Sequence, residues 1–272
     1  MRDPFTAERR RLLDQVALIV RRAGEAVMAV YATDFDVHGK SDASPVTEAD
    51  RRAEAIITEA LHQLAPDIPV IAEEAVSAGL STSVAPDQRF WLVDPVDGTR
   101  EFVGRNGEFT VNVALIEHGL PVLGVVQAPA LGLLYAGGPG VGAWCETDSA
   151  RPGPGNLPAR RPLQCRRAPR HGLTVLASRS HGDALRLQAF LDGLETPVAE
   201  VKAAGSSLKF CQIAAGEADV YPRLGRTMEW DTAAGQAVLV GAGGSVHTLK
   251  GEPLRYGKAE WENPDFVAWG LR

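Results

Sequence analysis

The sequence has few cysteines, no long apolar run and no excess of positive charge. Its three cysteines, Cys145, Cys165 and Cys211, are odd in number and lack Cys-x-x-Cys spacing, which argues against a disulfide framework or a zinc site. No stretch approaches the roughly 18 to 20 uncharged residues that span a bilayer. The formal net charge of −6 argues against a dominant nucleic-acid-binding surface. No secretory signal is visible, so the reducing cytoplasm is the expected compartment.

The composition and the periodicity indicate a globular α/β protein. The chain has 272 residues, 45% of them hydrophobic, which is sufficient for one large or two moderate domains. Apolar spacing predicts a helix over 6–31 and a second helix from about residue 47. Strand-like runs follow over 69–72, 90–93, 109–116 and 122–128, and their spacing suits hairpins and mixed sheets. Strands over 173–177 and 219–222 then alternate with helices over 182–194, 206–215 and 231–240, which predicts a smaller α/β unit.

A change in composition separates these two parts. Residues 147–171 are rich in proline, glycine and arginine, and no acid follows Asp148 within them. We interpret this stretch as a loop or domain boundary rather than an anion- or nucleic-acid-binding patch. The prediction is therefore a larger α+β sub-domain over 1–150 and a smaller α/β sub-domain over 151–272, with the active site in the crevice between them.

The stretch "WLVDPVDGTREF" at 91–102 places two acids at the end of an apolar strand. A tight turn would account for the Asp, Pro and Gly residues. However, Asp94 and Asp97 would repel one another unless a proton or cation lies between them. Mg²⁺ is bound by few carboxylates together with water and phosphate oxygens. The stretch therefore predicts either a plain turn or a metal site.

Other residues could complete such a site. Glu73 and Glu74 end the preceding strand-like run, and neighbouring strand ends place their next residues in one crevice. Asp231 precedes an Ala-rich helix, where an N-cap is the more common role. A helix that starts at Gly98 and Thr99 would offer backbone N–H groups to a phosphate. Metal ligands beside an anion site are the parts required for hydrolysis of a phosphate ester.

Three motifs in the same order resemble those of the inositol monophosphatase superfamily of Mg²⁺-dependent, lithium-sensitive phosphomonoesterases. They are "EE", "WLVDPVDGT" and "WDTAAG". The stretches "GKSDASPVTEAD", "SRSH" and "GSSLKFCQIAAGEADVYPR" narrow the resemblance to its CysQ-type branch, the 3′(2′),5′-bisphosphate nucleotidases. The resemblance implies an α-β-α-β-α sandwich with two sub-domains. It also implies removal of the 3′-phosphate from adenosine 3′,5′-bisphosphate, a by-product of sulfate assimilation, or from its 5′-phosphosulfate, by a metal-activated water.

The resemblance assigns roles to the acidic residues and implies two to three Mg²⁺ ions. Glu73, Asp94 and the carbonyl of Val96 would hold the first ion. Asp94, Asp97 and Asp231 would hold the second, and a loop containing Lys40 and Asp42 would help to recruit a third. Glu73, Asp50 and Thr99 would be the catalytic residues, with Asp50 polarising Thr99 so that Thr99 orients the attacking water. A plain N-terminal helix turn is the alternative explanation for Asp50. Gly98 and Thr99 would bind the phosphate.

Residues of the second half would select a nucleotide. The candidates lie where small hydroxyl residues precede helices or where a cation could clamp a second phosphate; they are Ser178, His181, Ser207, Lys209 and Arg223. Helix caps and surface charges are the alternative interpretations. The substrate would be a small nucleotide bisphosphate, with no nucleic acid or membrane partner, and the protein a monomer or homodimer. Alternatives are inositol monophosphatase or fructose-1,6-bisphosphatase activity, a non-catalytic nucleotide sensor, and an RNA or membrane-surface binder.

Overall fold

A computed structural model describes residues 4–33, 45–80, 84–85, 87–147, 160–179 and 183–272. Its helices are α1 (Pro4–Tyr31), α2 (Pro45–Leu64), α3 (Glu73–Ser77), α4 (Thr99–Val103), α5 (Ala184–Asp192), α6 (Leu208–Ala214) and α7 (Ala233–Gly241). Its strands are β1 (Val70–Ala72), β2 (Phe90–Asp97), β3 (Thr110–Glu117), β4 (Leu120–Ala128), β5 (Leu133–Gly138), β6 (Gly142–Thr147), β7 (Arg160–Pro162), β8 (Leu173–Ser178), β9 (Val198–Ala204), β10 (Val220–Arg223), β11 (Ser245–Thr248) and β12 (Phe266–Trp269).

The strands form two mixed sheets. The first has seven strands in the order β1 to β7, and all its pairs are antiparallel except the parallel pair β1–β2. The second has five strands in the order β11-β12-β10-β8-β9, with β8 parallel to both β9 and β10. A two-residue turn joins the antiparallel strands β3 and β4, as the hairpin-like spacing predicted.

Helices and sheets alternate in five layers. The apolar stripe of α1, which includes Leu13, Val20 and Val27, packs with α2 against one face of the first sheet. The helices α6 and α7 fill the space between the two sheets. The outermost helix, α5, covers the far face of the second sheet. The predicted α-β-α-β-α sandwich is therefore confirmed.

One glycine permits the close packing of the middle layer. A Cβ at Gly124 in β4 would lie 2.4 Å from the carbonyl oxygen of Ala234 in α7. No side chain fits there, so α7 approaches the first sheet directly at β4. This contact fixes the N-terminal end of α7 over the sheet that carries Asp94.

None of the helices in the described ranges is both long and apolar enough to cross a membrane. This includes α1, although it has 28 residues.

Several elements differ from the sequence-based expectation. Residues 160–162 form the strand β7 rather than a loop, because they pair with β6. The predicted linker interpretation is therefore wrong for this part of 147–171; residues 148–159 lie outside the described residues. The strand β2 continues beyond Val93 to Asp97, with a register shift between Asp94 and Asp97. Such a bulge re-aims side chains without ending the strand.

Candidate active site

Glu73 directly follows the end of β1, and Asp94 lies beside it within the parallel strand β2. The strands β1 and β2 pair with Ala72 opposite Val93, so the next residue of each strand is an acid. Glu73 begins α3, whose first backbone N–H groups, those of Glu74 and Ala75, donate to the Glu54 carboxylate of α2 at 2.9 and 3.0 Å. The two acids were expected to share a crevice, and the structure brings them together there.

A left-handed glycine separates Asp97 from α4. Gly98 has φ 97° and ψ 50°, and a Cβ there would lie 3.3 Å from Glu101 Oε2. This backbone conformation favours glycine strongly. It lets the chain turn directly from β2 into the first turn of α4, which starts at Thr99. The stretch is therefore a strand through Asp97, a turn at Gly98 and a short helix. The prediction of a plain turn over residues 94–97 is wrong, and the metal site remains a prediction.

Asp231 reaches the same cleft from the second half of the chain. It precedes α7, but the residue at the N-cap is Thr232, so the N-cap interpretation of Asp231 is wrong. Its Oδ2 accepts a hydrogen bond from the backbone N–H of Met228 at 2.9 Å, and its carbonyl accepts one from Ser207 Oγ at 2.6 Å. These contacts hold Asp231 in the cleft, where its charge acts on Asp94 and Asp97.

The acids raise one another's pKa values. Burial raises the pKa of Glu73 to about 7 and that of Asp231 to about 8, and nearby carboxylates add to both shifts. The pKa of Asp94 lies well above its usual range because the carboxyl is buried and faces Glu73, Asp97 and Asp231. Burial also raises the pKa of Asp97, although Lys209 opposes the shift. Each of these groups would gain stability from a nearby cation.

The donor set fits a hard cation. Asp94 is 1% exposed, and its Oδ1 accepts no hydrogen bond from the described residues. A buried carboxylate oxygen in this state requires a proton or a cation. Oxygen ligands of this kind suit Mg²⁺. Among the residues that the structure describes, no three His, Cys, Asp or Glu side chains are already arranged as a coordination set. The acids therefore face one cleft without a preformed coordination geometry.

A cleft of about 380 Å³ contains these acids and extends to the second sheet. The carboxylates line one wall together with Val96, Gly98 and Thr99. The other wall carries basic and aromatic side chains from α6 and β10 and hydroxyl residues from the neighbouring loops. Those wall residues include Ser178, Ser206, Lys209, Tyr221, Arg223 and Thr227.

Lys209 and Arg223 are buried cations at that second wall. Lys209 is 4% exposed and donates to the carbonyls of Ala204 and Ser206 at 3.1 and 2.6 Å. Burial lowers its pKa to about 8, and Asp97 partly offsets the shift. Arg223 is 7% exposed, and its Nη2 donates to the carbonyl of Arg226 at 2.7 Å. The alternative interpretation of Lys209 as a surface charge is wrong, because the side chain lies inside the protein.

The remaining predicted residues have different positions. Asp50 lies on the buried side of α2, where burial and the nearby Glu74 and Glu73 raise its pKa to about 8. Thr99 is exposed at the start of α4. Within the described part of the chain, Asp50 and Thr99 form no hydrogen bond with each other. Ser207 is 1% exposed and its hydroxyl faces Asp231, so the structure places it behind the acids and not on the open cleft.

Of the remaining candidates, only Ser178 lies within the described residues. It ends β8 and lines the cleft. His181, Lys40 and Asp42 lie outside the described residues.

The sequence reasoning missed an ion pair at the mouth of the cleft. Arg179 Nη2 donates to Glu108 Oε1 and Oε2 at 3.1 and 2.9 Å, and the backbone N–H of Gly205 donates to Oε2 at 2.9 Å. These contacts join the loop before β3 to the ends of β8 and β9. Glu101, which is 7% exposed, lies beside Gly98. The available signal was that Glu101 belongs to the stretch 91–102 and that Glu108 follows it closely in the sequence.

The fold and the site together define a layered α/β protein with an acidic cleft between its two sheets. Comparisons with known proteins identify the group more closely. The sequence pattern that defines the inositol monophosphatase family matches residues 9–266 of this chain. The 3′(2′),5′-bisphosphate nucleotidase CysQ of Escherichia coli (strain K12) is 46% identical over 258 residues, which cover 94% of this chain and 98% of that protein.

Solved structures give the same result. The crystal structure of CysQ from Bacteroides thetaiotaomicron matches with a TM-score of 0.81 and 36% identity, over 94% of this chain and 96% of that one. Mycobacterium tuberculosis SuhB matches with a TM-score of 0.71 and 26% identity, over 96% and 90% of the two chains. The chain belongs to the inositol monophosphatase family, as its motifs predicted, and relatives of the CysQ type are among its matches.

Proposed function

We propose that this protein is a Mg²⁺-dependent phosphoric monoester hydrolase that converts adenosine 3′,5′-bisphosphate to AMP and phosphate. Its 5′-phosphosulfate analogue is a second substrate in this proposal. The observation that carries the proposal is the cleft itself, in which mutually destabilised carboxylates face two buried cations, Lys209 and Arg223. The names of the CysQ relatives support the choice of a nucleotide.

The acidic wall would hold the metal ions and the reacting phosphate. In this proposal Glu73, Asp94 and the carbonyl of Val96 hold one Mg²⁺, and Asp94, Asp97 and Asp231 hold another. Bound Mg²⁺ would neutralise phosphate oxygens and make a water molecule easier to deprotonate. Gly98 and Thr99 would donate their backbone N–H groups to the phosphate.

Thr99 and Asp50 would act on the attacking water. The hydroxyl of Thr99 would orient the water, and Asp50 would accept the Thr99 proton through a hydrogen bond that forms when the cleft is loaded. The water oxygen forms a new bond to phosphorus, and the bond between phosphorus and the 3′ oxygen breaks. The water loses one proton and the 3′ oxygen gains one, so the overall reaction consumes a single water molecule. No covalent enzyme intermediate is needed.

The second wall would select the substrate. Lys209 is a point charge and Arg223 a planar fork, and the two together suit a second phosphate group. Ser178 and His181 would contact the ribose or phosphate from the end of β8. A substrate with a single phosphate would place no second phosphate group beside Lys209 and Arg223, which favours the bisphosphate over inositol monophosphate.

The proposal also covers the setting of the enzyme. It acts in the cytoplasm as a monomer or homodimer, with residues 1–150 and 151–272 as its two sub-domains.

Phosphate release from three substrates tests the proposal. Adenosine 3′,5′-bisphosphate, inositol 1-phosphate and fructose 1,6-bisphosphate are compared in Mg²⁺, and we expect the first to have the highest kcat/KM. Preference for either of the others would overturn the substrate assignment. Asp94→Asn should reduce turnover by about 10³-fold or more, because the variant loses the carboxylate that is proposed to hold both ions. Each factor of ten in rate corresponds to about 1.4 kcal/mol of activation free energy.

A matched control accompanies that variant. Asp87→Asn removes an acid whose side chain is 80% exposed and faces His118, and it should leave turnover unchanged. If Asp94→Asn had no more effect than Asp87→Asn, the metal-dependent mechanism would be wrong. A wild-type protein that binds the nucleotide but releases no phosphate from any of the three substrates would instead be a nucleotide sensor.

A further inference from the structure

Asn112 lies directly opposite Asp94 in the first sheet. The two residues are paired in the register of the antiparallel strands β2 and β3. Side chains of such a pair leave the sheet on the same face with their Cβ atoms about 4.5–5.5 Å apart. Leu92 and Ala114, which share this face, pack in the core formed with α6 and α7. Asn112 is therefore next to Asp94, on the side of the sheet that faces the cleft.

Both side chains carry buried polar atoms without hydrogen bonds. Asn112 is 1% exposed, and neither its Nδ2 nor its Oδ1 has a hydrogen-bond partner among the residues that the structure describes. Asp94 Oδ1 is in the same state. Buried polar groups are almost always paired with protein or with ordered water. Asp94 Oδ1 can accept a hydrogen bond, and the residue paired with Asp94 in the sheet, Asn112, carries an amide group that can donate one.

The packing of the sheet does not require an amide at this position. On the other side of Asn112 the register partner is Val126, and the neighbouring pair on the same face is Leu92 with Ala114. An aliphatic side chain would pack among these apolar neighbours without burying any unpaired polar atom. The polar side chain is therefore better explained by Asp94 than by packing.

The other acid of β2, Asp97, has the same arrangement, and here the hydrogen bond from the residue opposite is formed. Asp97 is paired with Thr110 of β3, and Thr110 Oγ1 donates to Asp97 Oδ2 at 3.4 Å. Each acid of β2 thus has a potential side-chain donor opposite it on β3. This repetition is independent of the unpaired atoms of Asn112.

We propose that Asn112 is a positioning residue, whose Nδ2 donates to Asp94 Oδ1 directly or through one buried water and fixes the carboxylate for metal binding. The assignment rests on the proposed metal-dependent function. A carboxylate oxygen has two lone pairs, so Oδ1 can accept this bond and still ligate a cation. Hydrogen bonds behind a ligand orient it, and their removal costs about 10- to 100-fold in metal affinity or activity.

Titration of the metal-free protein with Mg²⁺ tests the proposal by calorimetry. Asn112→Leu should weaken Mg²⁺ binding by about 10- to 100-fold. In steady-state assays the Mg²⁺ concentration for half-maximal rate should rise in parallel, while the KM for nucleotide at saturating Mg²⁺ stays the same. Asn112→Ser, which keeps a donor, should recover part of the affinity. If the leucine variant does not fold, Asn112→Val, which also removes the amide donor, takes its place with the same expected loss of affinity.

Gln127→Leu is the matched control. Gln127 is 4% exposed, has an unpartnered Oε1 within the described structure, and lies one strand away, but it faces Gly24 of α1 on the opposite side of the sheet. Removal of this amide should leave Mg²⁺ binding unchanged.

The outcomes separate this proposal from the function on which it rests. If the wild-type protein binds Mg²⁺ and Asn112→Leu binds it equally well, the role of Asn112 is wrong and the function stands. If both leucine variants lose Mg²⁺ affinity equally, the effect is one of general packing and the proposal is wrong. If the wild-type protein binds no Mg²⁺, the proposed function fails and this assignment fails with it.

Discussion

Ser207 donates its backbone N–H to Asp97 Oδ2 at a distance of 2.6 Å. Its hydroxyl donates to the carbonyl of Asp231, also at 2.6 Å. One buried residue therefore connects an acid at the end of β2 with an acid that precedes α7. Because the acids of the two halves repel one another, this connection determines how closely they can approach.

Ser207→Ala should weaken metal binding more than substrate binding. The variant keeps the N–H bond to Asp97 but loses the hydroxyl bond to Asp231. We expect the Mg²⁺ concentration for half-maximal activity to rise by about tenfold or more, with little change in the KM for nucleotide. Steady-state kinetics at varied Mg²⁺ and varied nucleotide measure both quantities. A raised KM with unchanged Mg²⁺ dependence would instead show the substrate contact that the sequence predicted. Ser245→Ala, in the edge strand β11, is the control.

The stability of the metal-free protein should fall as the pH rises. Asp50, Glu73 and Asp231 have pKa values of about 8, 7 and 8 in the folded protein, above their ordinary values. Groups of this kind favour the folded state fully below the unfolded pKa, and the benefit is lost as the pH rises through the folded pKa. Thermal unfolding in a chelator should therefore show a Tm that decreases between pH 5.5 and 8.5.

Mg²⁺ should reverse that loss. The cation replaces the protons, so the increase in Tm on addition of Mg²⁺ should be larger at pH 8.5 than at pH 5.5. Sodium chloride at equal ionic strength controls for screening. An equal Tm increase at both pH values would contradict the assignment of Glu73 and Asp231 as metal ligands.

The sequence predicted the local part of the site better than its distant part. Glu73 and Asp94 were predicted to share a crevice because each directly follows an apolar strand-like run, although β2 continues through Asp94 to Asp97. Asp231 alone reads as an N-cap, and its relation to Asp97 depends on Ser207, a contact between segments far apart in the chain. No periodicity encodes such a contact, so only the resemblance to a family indicated it.

The fold shows the same limit. The amphipathic helices α1 and α2 and the strands β1 to β4 were predicted because their apolar runs are strong. The buried strands β5 and β6 were missed, because glycines interrupt their apolar residues. The edge strand β9 was missed because most of its residues are exposed and show no alternation. The strand β7 consists of Arg160, Arg161 and Pro162, so it depends on pairing with β6 and not on its own propensity.

Arg223→Lys should separate bisphosphate from monophosphate substrates. The change keeps the charge but removes the planar fork that suits a phosphate. We expect kcat/KM for adenosine 3′,5′-bisphosphate to fall about 10- to 100-fold, which corresponds to loss of a charged hydrogen bond, and kcat/KM for adenosine 3′-monophosphate to change little. Equal losses for both would show that Arg223 supports the fold instead. The control is Arg226→Lys, since the Arg226 side chain is 72% exposed and pairs with Glu262.

Arg166 should prove essential for stability, although it belongs to the arginine-rich stretch that resembled a solvated linker. Its Nε and Nη2 donate to the Asp219 carboxylate at 2.8 and 2.7 Å, and the Asp219 side chain is 3% exposed. Arg166→Ala would leave a buried charge without its cation, which costs about 3 kcal/mol. Urea unfolding measures the change, and Arg167→Ala, at an exposed position, should have an effect of about 0.5 kcal/mol or less. Adding Asp219→Asn to Arg166→Ala should recover part of the loss, because the unpaired charge is then removed. If Arg166→Ala were as stable as Arg167→Ala, the linker interpretation would hold for Arg166 after all.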